Sequence, residues 1–91
     1  MKKAIRLYLT GTVQSLFFRT FIKENADAND IGGFIRMTED GRAEIFLEGN
    51  GDDVEAMRTI CKQGPKYATI RHVEEKPEHI QGFKEFKILR F

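Results

Sequence analysis

The 91-residue chain has one cysteine, two prolines, two histidines and no tryptophan. A lone thiol, Cys61, excludes an intramolecular disulfide, a CxxC redox pair and a cysteine-rich metal site. His72 and His79 lie seven residues apart with no further ligands at useful spacing, so they read as surface or edge histidines, not as a metal site. A surplus of either charge is also lacking. With 15 basic and 14 acidic side chains the formal net charge is +1, which argues against an electrostatically driven nucleic-acid binder. The longest basic cluster, Lys2-Lys3, reads as a solvated terminus. No apolar run has the length of a membrane span. Lys2-Lys3 leads into an alternating segment instead of the continuous apolar run of a signal peptide. A cytoplasmic protein with a reduced thiol and no metal or cofactor is expected.

What is present is the composition of a globular protein, 41% hydrophobic and 32% charged, at a length suited to a single domain spanning 1–91. Ile5, Leu7 and Leu9 alternate with Arg6, Tyr8 and Thr10, the period-2 pattern of a half-buried strand ended by Gly11. After a loop, Phe18, Phe21, Ile22, Asn25 and Ala26 share one face of a helix predicted over Phe18 to Asn29, which Gly32-Gly33 interrupt. Phe34 to Thr38 and Arg42 to Glu48 read as strands joined by Glu39-Asp40-Gly41, a strong hairpin signal. Ala43, Ile45 and Leu47 face one way; Arg42, Glu44, Phe46 and Glu48 face the other. Asp52 and Asp53 open a second helix carrying Val54, Met57, Ile60 and Cys61, which Gly64-Pro65 stops. Cys61 is then a buried structural thiol. Tyr67 to Glu75 reads as a strand, Pro77 to Gly82 as a loop and Lys84 to Phe91 as a final strand. The order β-α-β-β-α-β, with room for a short extra strand, predicts an α+β ferredoxin-like sandwich with two helices on one face of an antiparallel sheet.

The stretch Gly11-Thr12-Val13-Gln14-Ser15-Leu16-Phe17-Phe18-Arg19 joins a strand to a helix. Several backbone N–H groups there lack intrahelical partners, and the positive end of the helix dipole adds to them, so the loop is suited to an anion. Arg19 would supply a planar fork of donors matched to phosphate or carboxylate oxygens. The alternative is an exposed arginine at a helix start, paired with a neighbouring acid. A further alternative attaches to Phe46, with Phe34 beside it if the register allows: exposed aromatics on a sheet face can stack bases or mark a dimer contact. Glu44, Glu48 and the near-neutral charge oppose the nucleic-acid version.

The loop resembles the signature of the acylphosphatase family, Gly-x-Val-Gln-Gly-Val-x-Phe-Arg, at Gly11, Val13, Gln14, Phe18 and Arg19. The family's second motif, Gly-Trp-Val-Arg-Asn followed by Asp-Gly, is similar to Gly33-Phe34-Ile35-Arg36-Met37 with Asp40-Gly41, and Glu48-Gly49 suits the end of the third strand. The resemblance covers nearly the whole chain. It implies metal-free hydrolysis of acyl phosphates to carboxylate and phosphate. Residues Gln14, Ser15, Leu16, Phe17, Phe18 and Arg19 would hold the phosphoryl group, and the family's asparagine would orient the attacking water. Met37 stands at that asparagine position. A thioether is a weak acceptor with no donor, and losing such positioning costs on the order of 10²-fold in rate. Ser15 replaces a glycine that permits positive φ and close approach, and Phe17 is a bulky residue where a small one is common, expected to reshape or fill the cradle. Thr38 should point away from the site, and Asn25 and Asn29 lie too far along the helix to replace the asparagine.

Two functions remain open on these residues. One is an acylphosphatase weakened or silenced at Met37. The other is a non-catalytic domain binding a small phosphate-like anion or a protein on the same scaffold. A monomer or weak dimer without nucleic-acid or membrane partners is expected.

Overall fold

Alternation in the first strand turns Ile5, Leu7 and Leu9 inward, at 7%, 0% and 0% exposure, and two amphipathic helices complete the layer above them. The computed structural model describes residues 1–90. The elements are β1 (Lys2–Gly11), α1 (Leu16–Ala28), β2 (Gly32–Met37), β3 (Ala43–Asn50), α2 (Gly51–Gln63), β4 (Ile70–Glu78) and β5 (Phe86–Ile88). The sheet runs β4-β1-β3-β2-β5. Strands β1 to β4 pair antiparallel as expected, whereas β5 adds parallel to β2, so the sheet is mixed. Both helices cover one face of it. Phe18, Ile22 and Ala26 from α1 and Val54, Met57 and Cys61 from α2 meet Ile35, Ala43, Ile45 and Leu47 in one core. This is the α+β ferredoxin-like sandwich predicted from the element order.

Boundaries differ where the pattern was weakest. Strand β4 begins at Ile70 rather than Tyr67 and continues through Pro77 and Glu78, which the sequence assigned to a loop. Strand β4 is an edge strand, and there a proline's missing N–H breaks no ladder if it faces outward. The last strand is confined to Phe86–Ile88, and Phe91, its expected end, lies outside the described residues. The hairpin forms as predicted: the Thr38 N–H donates to the Arg42 carbonyl at 2.8 Å and Gly41 takes φ 87°. Gly33 is required where β2 meets β3, because a Cβ there would lie 1.8 Å from the Phe46 carbonyl oxygen.

Strands β4 and β5 occupy opposite edges, so residues 79–85 must cross the helix-free face. Four strand spacings of about 4.8 Å make about 19 Å, and seven residues reach about 25 Å fully extended. The crossing segment therefore has little slack and lies flat on the sheet. Glu48 fastens it, accepting N–H groups from Gln81 at 2.6 Å, Gly82 at 3.3 Å and Phe83 at 2.5 Å. Phe83 packs on Phe34 and Phe46 at centroid distances of 5.8 and 5.5 Å, while Phe34 and Phe46 stack at 5.9 Å. Arg6 lies over Phe46 at 5.1 Å and pairs with Glu44 and Glu78. Arg36 lies 2.7 Å from Glu44 Oε1, out of hydrogen-bond alignment with it. Phe46 is fully buried, which overturns the base-stacking or dimer platform considered for it: the register does place Phe34 opposite Phe46, but the aromatic pair is covered.

Two stability predictions follow from these contacts. Glu48→Ala removes the acceptor of three N–H groups and should cost about 2 kcal/mol, read as a lower chemical-denaturation midpoint. Glu75 accepts from Arg58 at 2.5 and 3.1 Å, with Lys62 at 2.7 Å. First Arg58, then Lys62, holds its carboxyl down from 4.5 to about 2. The folded state therefore binds this proton less readily than the unfolded state, so the stabilisation is complete above pH 4.5 and is lost as pH falls towards 2. Partial exposure limits the effect to about 1 kcal/mol. In Glu75→Gln that segment of the acid-unfolding profile should flatten.

Candidate functional site

The loop from β1 to α1 is fixed at its ends and open in its middle. Gly11, at φ 144°, approaches Thr69 so closely that a Cβ would lie 2.1 Å from its carbonyl oxygen. The Thr12 N–H donates to that same oxygen at 2.9 Å. Val13 and Phe18 are buried in the core at 0% and 1% exposure. The Gln14 side chain turns away from the loop and donates from Nε2 to the Gly41 carbonyl at 3.3 Å, tying the loop to the β2–β3 hairpin. Ser15 is the N-cap, its hydroxyl accepting the Phe18 N–H at 3.0 Å.

Between these anchors, the N–H groups of Gln14, Ser15, Leu16 and Phe17 make no hydrogen bond to a described residue. No acidic side chain occupies the first turn of α1, so nothing there competes with an incoming anion for the positive end of the helix dipole. The N–H of Phe18 is already used by Ser15, so the free donors are those of residues 14–17.

Arg19 follows in the first turn. It makes no ion pair with a described residue, and its buried Nε has no hydrogen-bond partner. The neighbouring acid of the alternative reading is not found among the described residues. A buried unpartnered donor costs about 1–3 kcal/mol, a cost an anion would offset. Arg19 lines a cleft of about 280 Å³ with Leu16, Ile88 and Arg90.

The departures from the family pattern take definite positions. Ser15 has φ −79°, so this backbone needs no glycine, and the hydroxyl hydrogen remains free to donate. Phe17 does not fill the cradle as expected: it is 62% exposed and packs on Tyr67 at a centroid distance of 5.6 Å. Met37 ends β2 and packs against the core, on the same side of the strand as Ile35. The residues considered as its replacement are engaged elsewhere. Asn25 and Asn29 donate to helix carbonyls of Phe21 and Asn25, each at 2.8 Å. Thr38 Oγ1 accepts from the Arg42 N–H at 3.1 Å inside the hairpin.

Arg90 and Tyr67 were not singled out from sequence. Both reach the site through contacts between distant segments, which hydrophobic periodicity does not encode. Elsewhere, Cys61 is buried and its thiol is pushed up to about 12 by desolvation, which leaves it protonated and unsuited to nucleophilic work. His72 and His79 are exposed.

Comparison with known proteins agrees with the fold. The family model described as Acylphosphatase matches residues 5–88. An acylphosphatase of Syntrophus aciditrophicus is 34% identical over 90 residues, covering 98% of this chain and 94% of the relative. One from Haloarcula marismortui is 36% identical over 81 residues, covering 86% and 89%. The crystal structure of an acylphosphatase from Bacillus subtilis superposes with a TM-score of 0.89 at 26% identity, covering 98% and 99%.

The cap makes its own prediction. Ser15→Ala should cost about 1 kcal/mol and lower Tm by about 4–8 °C. Ser15→Gly should cost only a few tenths of a kcal/mol. Thermal unfolding of the two variants side by side measures the difference.

Proposed function

Because this chain belongs to the acylphosphatase family, we propose that it binds acyl phosphates at the start of α1 and hydrolyses them slowly. The phosphoryl oxygens accept hydrogen bonds from the free N–H groups of residues 14–17 and from the Arg19 guanidinium. These donors are in place before the reaction, which is where electrostatic stabilisation of a transferring phosphoryl group is most effective. In the reaction a water oxygen forms a bond to phosphorus as the bond from phosphorus to the acyl oxygen breaks. The electron pair leaves with the carboxylate, and the water's proton passes to solvent. The leaving carboxylate is stable as an anion at neutral pH, so no side chain has to protonate it. The single observation that carries this reading is Arg19, a half-buried cation whose Nε, like the four N–H groups beside it, has no partner among the described residues.

The slowness is assigned to Met37. A thioether offers the water no donor and little acceptor strength, so the water enters without a fixed line of attack. The same observation favours a second reading, in which the domain retains anion binding and has no turnover.

Turnover of an aromatic acyl phosphate separates these. Slow wild-type hydrolysis should rise on the order of 10²-fold in Met37→Asn and disappear in Arg19→Ala, together with inorganic phosphate binding. Wild-type activity that survives Arg19→Ala unchanged would remove this site from the mechanism. Phosphate binding without turnover in wild type would establish the second reading.

A further inference from the structure

We propose that Arg90 is a second guanidinium of the phosphoryl site, contacting the bound anion across the cleft from Arg19. The inference rests on the reading of that cleft as the anion site and adds a residue that the sequence motifs do not contain. Its basis is the way the end of the chain is held. The Lys23 ammonium on α1 donates to the Phe86 carbonyl at 2.9 Å. The Leu89 N–H donates to the Ile35 carbonyl at 2.9 Å, one residue beyond the end of β5. The parallel register pairs Gly33 with Phe86 and Ile35 with Ile88. Continued by two residues, it sets Arg90 beside Met37.

Charge points the same way. Arg6, Arg36, Arg42 and Arg58 are each ion-paired with carboxylates. Arg19 and Arg90, which line one cleft, pair with no described residue, and only Leu16 and Ile88 complete its lining. Arg71 is also without a pair, but it lies on the exposed edge strand β4. Two arginines lining one small space, with no counter-ion among the described residues, repel each other. A dianionic phosphoryl group placed between them reverses that balance, and each planar fork can engage two of its oxygens. Arg90 thus brings charge and donors to a place where Met37 has neither. It has no acceptor, so it can hold and neutralise the phosphoryl oxygens but cannot take a proton from the water.

The test is titration with inorganic phosphate, followed through the amide resonances of Leu16 and Phe17. The proteins compared are wild type, Arg90→Ala, Arg90→Lys and Lys2→Ala. Lys2 lies at the far end of β1 from the loop, so its variant loses one positive charge away from the site. Arg90→Ala should bind phosphate about tenfold or more weakly, with partial recovery in Arg90→Lys and wild-type affinity in Lys2→Ala. Unperturbed core amides verify that each variant is folded, and Arg90 is exposed, so its replacement leaves the core intact. Equal affinity in wild type and Arg90→Ala would overturn the inference and leave the site at Arg19 standing. An equal loss in Lys2→Ala would overturn it too, by showing that net charge alone is responsible. A wild-type protein whose loop amides do not respond to phosphate would overturn the anion site and this inference together.

Discussion

Four backbone N–H groups, those of residues 14–17, lie without an acceptor among the described residues between Val13 and Phe18, two side chains that the core holds buried. The candidate site depends on that constraint. An open helix start would ordinarily rearrange to satisfy its donors, but this one has little freedom to do so. Gly11 is pressed against Thr69, Thr12 is bonded to the same carbonyl, and Gln14 is tied to Gly41. Core packing thus holds polar groups in an arrangement that only solvent or an anion can complete. The residues that match the family signature divide accordingly. Gly11, Val13, Gln14 and Phe18 hold the shape, and the Nε of Arg19 has no partner among the described residues.

The opposite side of the sheet serves the site indirectly. Strand β4 ends at one edge and β5 begins at the other, so the segment between them is drawn across the face with little slack. Glu48, Phe83 and the Arg6–Glu44 pair hold it down. That crossing is what brings β5 parallel to β2 and carries Arg90 to the Met37 end of the sheet. Breaking the Glu48 fastening should therefore be felt at the cleft as well as in stability, because it loosens the path that delivers Arg90.

Much of the fold was legible because β1, β3 and both helices carry clean periodicities: Leu7, Leu9, Ile45 and Leu47 alternate, and Ile22, Ala26, Met57 and Cys61 recur at helical spacing. Arg19 stood out as a candidate because a strand-loop-helix junction with an arginine in its first turn is a local pattern. The rest depends on long-range contacts. Glu44 and Glu48 alternate like solvent-facing residues, yet each is 4% exposed: residues 81–83, more than 30 positions away, donate to Glu48, and Arg6 and Arg36 close on Glu44. Strand β4 shows weak patterning because it is an edge strand, exposed along most of its length. Arg90 sits in a short terminal stretch whose neighbour is decided by the parallel pairing with β2. Phe17 was misplaced because its size suggested filling, whereas its place in the first turn directs it outward onto Tyr67.

The three departures from the family pattern share a direction. Ser15 adds a cap worth about 1 kcal/mol over alanine. Phe17 adds an aromatic contact with Tyr67, worth about 0.5–1.5 kcal/mol beyond its buried area where such pairs are well packed and less for two rings this exposed. Met37, at the position that the resemblance gives to an asparagine, packs against the core. Each favours local stability at a place where function would favour an open donor, a small residue or a water-orienting amide. This is the usual tension between a stable site and an active one. It did not extend to Arg19, whose Nε remains buried without a partner. Packing leaves that donor at a cost of about 1–3 kcal/mol, which a ligand accepting from it would offset. In the function proposed above, these departures slow the chemistry and leave the anion's donors in place.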